Sequence, residues 1–302
     1  MKRLDGLSGT HIKMSPGRRL FLAVDYLFLT GAALICQLPL INVLSVSLSS
    51  SNAAAGFLKL WPVEFTFSSY EYALTKPQFL QAFLISVKRV ALGYVITMVA
   101  SILTAYPLSK EKNTFRARGK YAWVFIVTMM FSGCLIPTYM TLRYLGMLDT
   151  IWALVLPGAV PIFNVVLMVN FFRSIPHEIE EAAFIDGAGH FKTLVRIYLP
   201  LSLPSLATVS LFVIVNHWNS WFDGIIYMNH TYNYPLQSYL RTIIINPDLQ
   251  SMTSSEELVM SEISERTFKA AQIFLGALPI LCVYPFLQKY FMSGLTMGSV
   301  KG

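Results

Sequence analysis

Apolar positions in this chain gather into long blocks; they do not recur every second or fourth residue. Six blocks stand out, at about residues 20–48, 79–108, 121–142, 151–172, 201–228 and 270–291. Each approaches or exceeds the roughly 20 helical residues that cross a hydrocarbon core of about 30 Å. A bilayer offers the backbone no water to bond, so each block is predicted to be a helix. Prolines within or beside the blocks (Pro39, Pro137, Pro157, Pro161, Pro279 and Pro285) predict kinks or helix ends. The pattern predicts an all-α membrane protein with six transmembrane helices.

The polar segments between the blocks orient it. Lys2, Arg3, Lys13, Arg18 and Arg19 precede the first block, and Lys110, Lys112, Arg116, Arg118 and Lys120 lie between the second and third. Arg173, Lys192 and Arg196 follow the fourth, and Lys289 and Lys301 end the chain. With six alternating spans, all of these fall on one side. The other side mixes bases with Glu64, Glu71, Asp149, Asp248, Glu256, Glu257, Glu262 and Glu265. The positive-inside rule makes the basic side cytoplasmic, with both termini on it. Lys88 and Arg89 interrupt the second block near its outer end and are expected to snorkel to the outer interface; a substrate-facing role is the alternative.

This partition gives a cytoplasmic N-terminal segment at 1–19 and a first span with its outer loop at 20–78. A core of five spans follows at 79–292, with a cytoplasmic loop at 173–200 and an outer loop at 229–269. Residues 293–302 read as a cytoplasmic tail. The first block is too long for the 7–15-residue core of a cleaved signal.

Composition supports the same class. Of the 302 residues, 55% are hydrophobic and 13% charged, about half the charge of an ordinary soluble domain. The net charge of +7 sits in the cytoplasmic loops and needs no nucleic acid to explain it. Cys36, Cys134 and Cys282 lie in apolar blocks without a Cys-x-x-Cys pair, and predict neither disulfide nor metal site.

The segment 173–200 carries the most specific signal. Ser174 is expected to cap a helix, Pro176 to occupy its first turn, and Glu178, Glu180 and Glu181 to favour its positive end. Ala182 and Ala183 supply a small face for close approach, and Gly187 and Gly189 end or bend the helix. A second helical stretch is expected to run to Pro200, where the fifth span begins.

Glu181-Ala182-Ala183, then Gly187 after three residues, then Ile197-Tyr198-Leu199-Pro200 after nine more, resembles the EAA loop of ATP-binding-cassette importer permeases. Ile185-Asp186-Gly187-Ala188 and the C-terminal run from Gly294 to Gly302 are similar to the carbohydrate, MalG-like branch. The run from Phe131 to Tyr139 and Leu156-Pro157-Gly158-Ala159 resemble its LplC/YtcP-type members. The resemblance implies the type I importer (MetI-like) permease fold in a bacterial inner membrane. It also implies that the EAA helix docks on an ATPase subunit, through Glu181, Ala182, Ala183, Asp186 and Gly187. Ile197, Leu199 and Pro200 would fix the junction with the fifth span. The implied partners are a second homologous permease, two ATPase subunits holding ATP and Mg, an extracytoplasmic solute-binding protein, an oligosaccharide and membrane lipid. No cofactor is expected in this chain. Fragments of acidic polysaccharides such as alginate or pectin are the substrates that the subfamily likeness suggests.

Polar residues inside spans face a bundle interior or a cavity. Asn164, Asn170, Asn216, His217, Trp218 and Asn219 are therefore candidates for a substrate path, with interhelical hydrogen bonding as the other reading.

Rival chemistry is weakly represented. His177-Glu178 would need a histidine at Glu181 to make a zinc-protease helix, and no G-x-x-x-x-G-K-[ST] loop is present. A secondary transporter would carry ionisable residues at mid-membrane and inverted repeats. A membrane-embedded glycan enzyme would need acidic groups near an interface, for which Asp223 alone is a poor candidate.

Overall fold

The computed structural model describes residues 16–50, 59–131, 133–245 and 264–299. Three described helices are long and apolar enough to cross a membrane: α1 (Pro16–Ser47), α3 (Pro77–Ser109) and the last helix, Glu265–Ser299. Between α1 and α3 lies the short α2 (Ser68–Thr75).

The three middle blocks are broken where one helix each was expected. The third divides into α4 (Arg118–Met130) and α5 (Leu135–Tyr144), bent by 110°. The fourth divides into α6 (Ile151–Val155) and α7 (Ile162–Ser174), separated by Pro157, Gly158 and Pro161. The stretch leading into the fifth passes through α9 (His190–Thr193), a π-helical turn (Leu194–Tyr198) and α10 (Leu199–Leu201). It then turns by 84° into α11 (Leu203–Asn219), so the span starts at Leu203 and not at Pro200. Pro204 suits that first turn, since its missing N–H would have no intrahelical partner there.

The segment expected to be the outer loop 229–269 contains α13 (Leu236–Ile245) and the first turns of the last helix, α14 (Glu265–Ser299). Its acidic stretch around 256–262 lies outside the described residues. Residues 293–299, expected to be tail, continue α14. Between α11 and α13 sits α12 (Phe222–Tyr227), and between α7 and α9 sits α8 (His177–Ile185).

Helix α3 is the hub, packing on both α7 and α11, while α11 packs on α14 and α14 on α1. One face of α3 explains how this is possible. Ala82, Ser86, Gly93, Thr97, Ser101 and Ala105 recur at spacings of four or seven residues and are buried. Lipid tails give helices no hydrophobic reason to associate, so small residues that let backbones approach are what packs a membrane bundle. At Gly93 the fit is closest: a Cβ there would lie 2.5 Å from His217 Nε2. Tyr94 and Ser210 hydroxyls bridge the same pair of helices at 3.0 Å. Toward the C-terminal end of α3, Met98, Ala105, Val165, Met168, Phe172, Leu194 and Val209 close an apolar core.

Candidate coupling loop and translocation face

Helix α7 stops because Ile175 precedes Pro176, and a residue before proline is driven to extended backbone; Ile175 has φ −73° and ψ 127°. Ser174 does not cap α8 as expected. It is the last residue of α7, and its hydroxyl donates back to the Phe171 carbonyl at 2.7 Å. α8 starts at His177 and ends in a left-handed turn at Gly187, φ +76°. There Gly187 N–H donates to Phe184 O at 3.0 Å and Ala188 N–H to Ala183 O at 2.9 Å. That pair of bonds satisfies the last carbonyls of the helix and needs a residue that tolerates positive φ.

The two faces of α8 are inverted relative to an ordinary surface helix. Glu180, 4% exposed, and Ala183 point inward. Ile185, 86% exposed, faces out with Ile179, Glu181, Ala182, Asp186 and Gly187. Among the described residues, Glu181 pairs only with His177 one turn back, at 3.2 Å. Ala182 and Ala183, expected to share one close-approach face, are divided between the two sides.

Glu180, which in the sequence is one of three acids in a first turn, is the buried one. It accepts from Lys110 Nζ at 2.6 Å and from the Tyr198 hydroxyl at 2.7 Å. The Lys110 ammonium also lies 4.0 Å from the ring centres of both Tyr106 and Tyr198. Those two rings meet edge to face at 5.1 Å, and Phe172 packs on Tyr198 at 5.5 Å. Tyr198 ends the π turn, the kind of local bulge that re-aims side chains at functional sites. Of the other motif residues at the junction, Ile197 and Leu199 are half-buried and pack on the core, while Pro200 is exposed.

Electrostatics agree with an ionised pair. Burial works against the Glu180 carboxylate, but the hydrogen bonds from Lys110 and Tyr198 and the charges of Lys110 and His177 hold it below the ordinary glutamate range. Burial pulls the Lys110 ammonium below its own range, with Glu180 opposing. An ammonium between two ring faces fits the charged state, so the Glu180 direction is the one the geometry supports. Nearby, Arg173 donates to Leu108 O and Arg118 to Lys110 O, both at 3.1 Å. Bases expected only to mark the membrane side thus cap the negative end of α3.

About a third of the way along α3, Arg89 does not snorkel. It is 2% exposed and grips Asp223 through both terminal nitrogens, and it donates to Ser220 O at 3.2 Å. Asp223 also accepts from Ser220 Oγ and Gly224 N, each at 2.9 Å. Lys88 is exposed, as expected of an anchoring base.

The six candidate path residues separate into two groups. Asn164, His217 and Trp218 are buried between helices. His217 fills the space over Gly93, and Trp218 donates to Gly276 O at 2.9 Å with Phe83 against its ring. His217 and Trp218 thus pack helix against helix. Asn170, Asn216 and Asn219 are exposed. On α7, Asn170 continues the exposed positions Phe163 and Val166; on α11, Asn216 and Asn219 continue Phe212. Phe163 and Phe212 touch, with ring centres 6.0 Å apart, so the two stripes form one face.

The described residues form a multi-pass helical core with an exposed, two-faced helix at one end, and similarity to known proteins gives its class. Residues 82–296 match the family described as binding-protein-dependent transport system inner membrane component, and the chain belongs to that family. It is therefore a permease component of an ATP-binding-cassette importer, with the type I importer fold. It is 39% identical over 285 residues to the polygalacturonan/rhamnogalacturonan transport system permease protein YtcP of Bacillus subtilis (strain 168), covering 94% of this chain and 99% of that protein. Protein LplC of the same organism is 38% identical, with 94% and 96% covered. Among solved structures, a chain of a bacterial ABC transporter involved in import of the acidic polysaccharide alginate superposes with a TM-score of 0.85. It is 31% identical, and 92% of this chain and 99% of that one are covered.

Proposed function

We propose that this chain is one of two homologous permease subunits of a bacterial inner-membrane importer for acidic oligosaccharides, driven by two ATPase subunits, one of which docks on α8. The observation that carries the docking role is the inverted amphipathicity of α8: an ionised pair holds its inner face, and Ile185, Ile179 and Glu181 are turned outward. A helix that shows its apolar residues to solvent is shaped for a second protein. Glu181 and Asp186 supply polar contacts, Ala182 close approach, and Gly187 the turn that ends the surface. ATP and Mg are held by the ATPase partners, and this chain is non-catalytic. Both termini and α8 lie in the cytoplasm, following the basic loops. The substrate class is supported by the relatives, which include a polygalacturonan/rhamnogalacturonan permease and an alginate importer. A solute-binding protein delivers the substrate from the outer side to the face formed by Asn170, Asn216 and Asn219.

The test is reconstitution of the full complex with its binding protein, assaying uptake of labelled oligogalacturonides and ATP hydrolysis. Glu181→Ala and Ile185→Asp, both on the exposed face, are expected to lower binding-protein-stimulated hydrolysis and uptake without shifting the melting point of the permease. Normal hydrolysis and uptake in both variants would remove α8 as the docking element. Import of neutral oligosaccharides alone would overturn the substrate class.

A further inference from the structure

About 20 residues of α3 separate Arg89 from Lys110, or about 30 Å at 1.5 Å per residue, which is the thickness of a hydrocarbon core. The Arg89–Asp223 level therefore lies about one hydrocarbon thickness from Lys110, on the side remote from α8. A cavity of about 420 Å³ opens beside this level, walled largely by apolar residues of α13 and α14, Ile273 and Ile280 among them, with Asn219, Trp221, Gln237 and Arg241 as its polar and aromatic part. This volume falls in the range of about 300–1,000 Å³ typical of small-molecule sites.

The wall has a specific chemistry. Gln237 and Arg241 are four residues apart on α13 and so share a face. The Arg241 guanidinium lies 5.0 Å from the centre of the Trp221 ring. Among the described residues no carboxylate is paired with Arg241. This contrasts with Arg89, which is matched by Asp223 at the same level. A guanidinium stacked on an indole is oriented but not neutralised, and its forked donors fit a carboxylate bidentately. Trp221 keeps 39% exposure, enough ring to pack on the C–H face of a sugar. Asn219 belongs both to the cavity wall and to the exposed stripe of α11, so the cavity opens off the face assigned above to the substrate.

We infer that this cavity is a uronate subsite, in which Arg241 binds the carboxylate of one acidic sugar unit, Trp221 packs on its ring, and Asn219 and Gln237 bond its hydroxyls. The inference rests on the acidic-oligosaccharide reading and adds the residues that read the acid. Arg241 makes the subsite selective for a free carboxylate over its neutral ester, because the ester lacks the charge that makes this hydrogen bond strong.

The experiment separates the two claims. The purified full complex, without binding protein, is titrated with trigalacturonate and with its methyl ester, following tryptophan fluorescence and calorimetric heat in both nucleotide-free and ATP-trapped states. The natural complex is expected to bind the acid at least about tenfold more tightly than the ester, the size of one charge-assisted hydrogen bond. Arg241→Gln should abolish that preference with ester binding unchanged, and Arg241→Lys should restore part of it. Equal weakening of both ligands, an unchanged preference, or no binding in either state would overturn the subsite. Loss of co-purified anionic phospholipid in Arg241→Gln, with sugar binding unaltered, would assign the arginine to a lipid headgroup and overturn it as well. Failure of the natural complex to import trigalacturonate with its binding protein present would sink the substrate class itself. Import that proceeds equally in Arg241→Gln would sink only the subsite.

Discussion

Replacing Glu180 by alanine removes the one carboxylate that faces Lys110 in the core beneath α8. The ammonium is 6% exposed and cannot recover its lost partner from water. Breaking a buried pair from one side costs about 3–5 kcal/mol. Here the two tyrosine rings at 4.0 Å continue to stabilise the cation, each by up to about 2 kcal/mol when desolvated. Those contacts already exist in the natural protein, so they limit the penalty without cancelling it, and the Tyr198 hydroxyl loses its acceptor too. A net loss of about 2–3 kcal/mol follows. At about 2 °C per kcal/mol for a chain of this length, the melting midpoint of the detergent-solubilised permease should fall by about 4–6 °C. Because the pair also seats α8 on α3, uptake per ATP hydrolysed in proteoliposomes should fall. Glu180→Gln, which keeps a neutral acceptor, should lie between. Lys110→Met with Glu180→Leu replaces both charges by apolar volume and should melt within about 1 kcal/mol of the natural chain. A Glu180→Ala variant that melts and couples normally would refute the anchor.

The other ion pair should respond asymmetrically. Asp223→Ala strands an arginine that is 2% exposed and should cost about 3–5 kcal/mol, whereas Arg89→Met leaves Asp223 its bonds to Ser220 and Gly224 and should cost about 1–3 kcal/mol; equal losses in thermal melts would contradict the geometry. Gly93→Ala drives a methyl into the His217 ring and should cost about 1–3 kcal/mol, and His217→Ala in the same chain should relieve it if the 2.5 Å approach is the cause. The Glu180 carboxyl, held below its ordinary range in the folded chain, contributes stability that is complete above the unfolded value of about 4.3 and lost as pH falls through the folded value. The natural and Glu180→Gln permeases should therefore differ in melting point at pH 6–7, and the gap should begin to close as the pH falls below the unfolded value of about 4.3; a gap that stays constant as the pH falls further would rule out titration of this group.

What could be read from the sequence was what is local. The apolar blocks fall on helices, and the EAA spacing falls on a helix closed by a glycine at φ +76°. The breaks in the middle spans were less legible, because apolar composition continues through them and a proline predicts a kink without an angle. The 84° turn before Leu203 depends on where the preceding stretch lies against α3, α7 and α8. The two ion pairs were harder still, since their partners are 70 and 134 residues apart. Basic residues at the ends of apolar blocks have a sufficient explanation in topology, and nothing local distinguishes Arg89, which is buried, from Lys88, which is not. The asparagines divided for a similar reason. Asn216 and Asn219 are three residues apart and share a face, whereas His217 and Trp218 between them turn into the bundle.

The step from Glu180 to Glu181 shows where pattern reading stops. Consecutive helical residues are rotated by about 100°, so adjacent glutamates look in different directions, and the choice between them depends on which side of the helix is inside. Ordinarily the apolar residues decide that question. In α8 they give the opposite answer: Ile179 and Ile185 are exposed, while the inner face carries a charged residue and an alanine. The inner face is an interface with Lys110 and Tyr198 of the same chain, and the outer face, on the docking proposed for it, is a second one. A helix in that position has no face that must stay polar, so its apolar pattern does not report which side is inside.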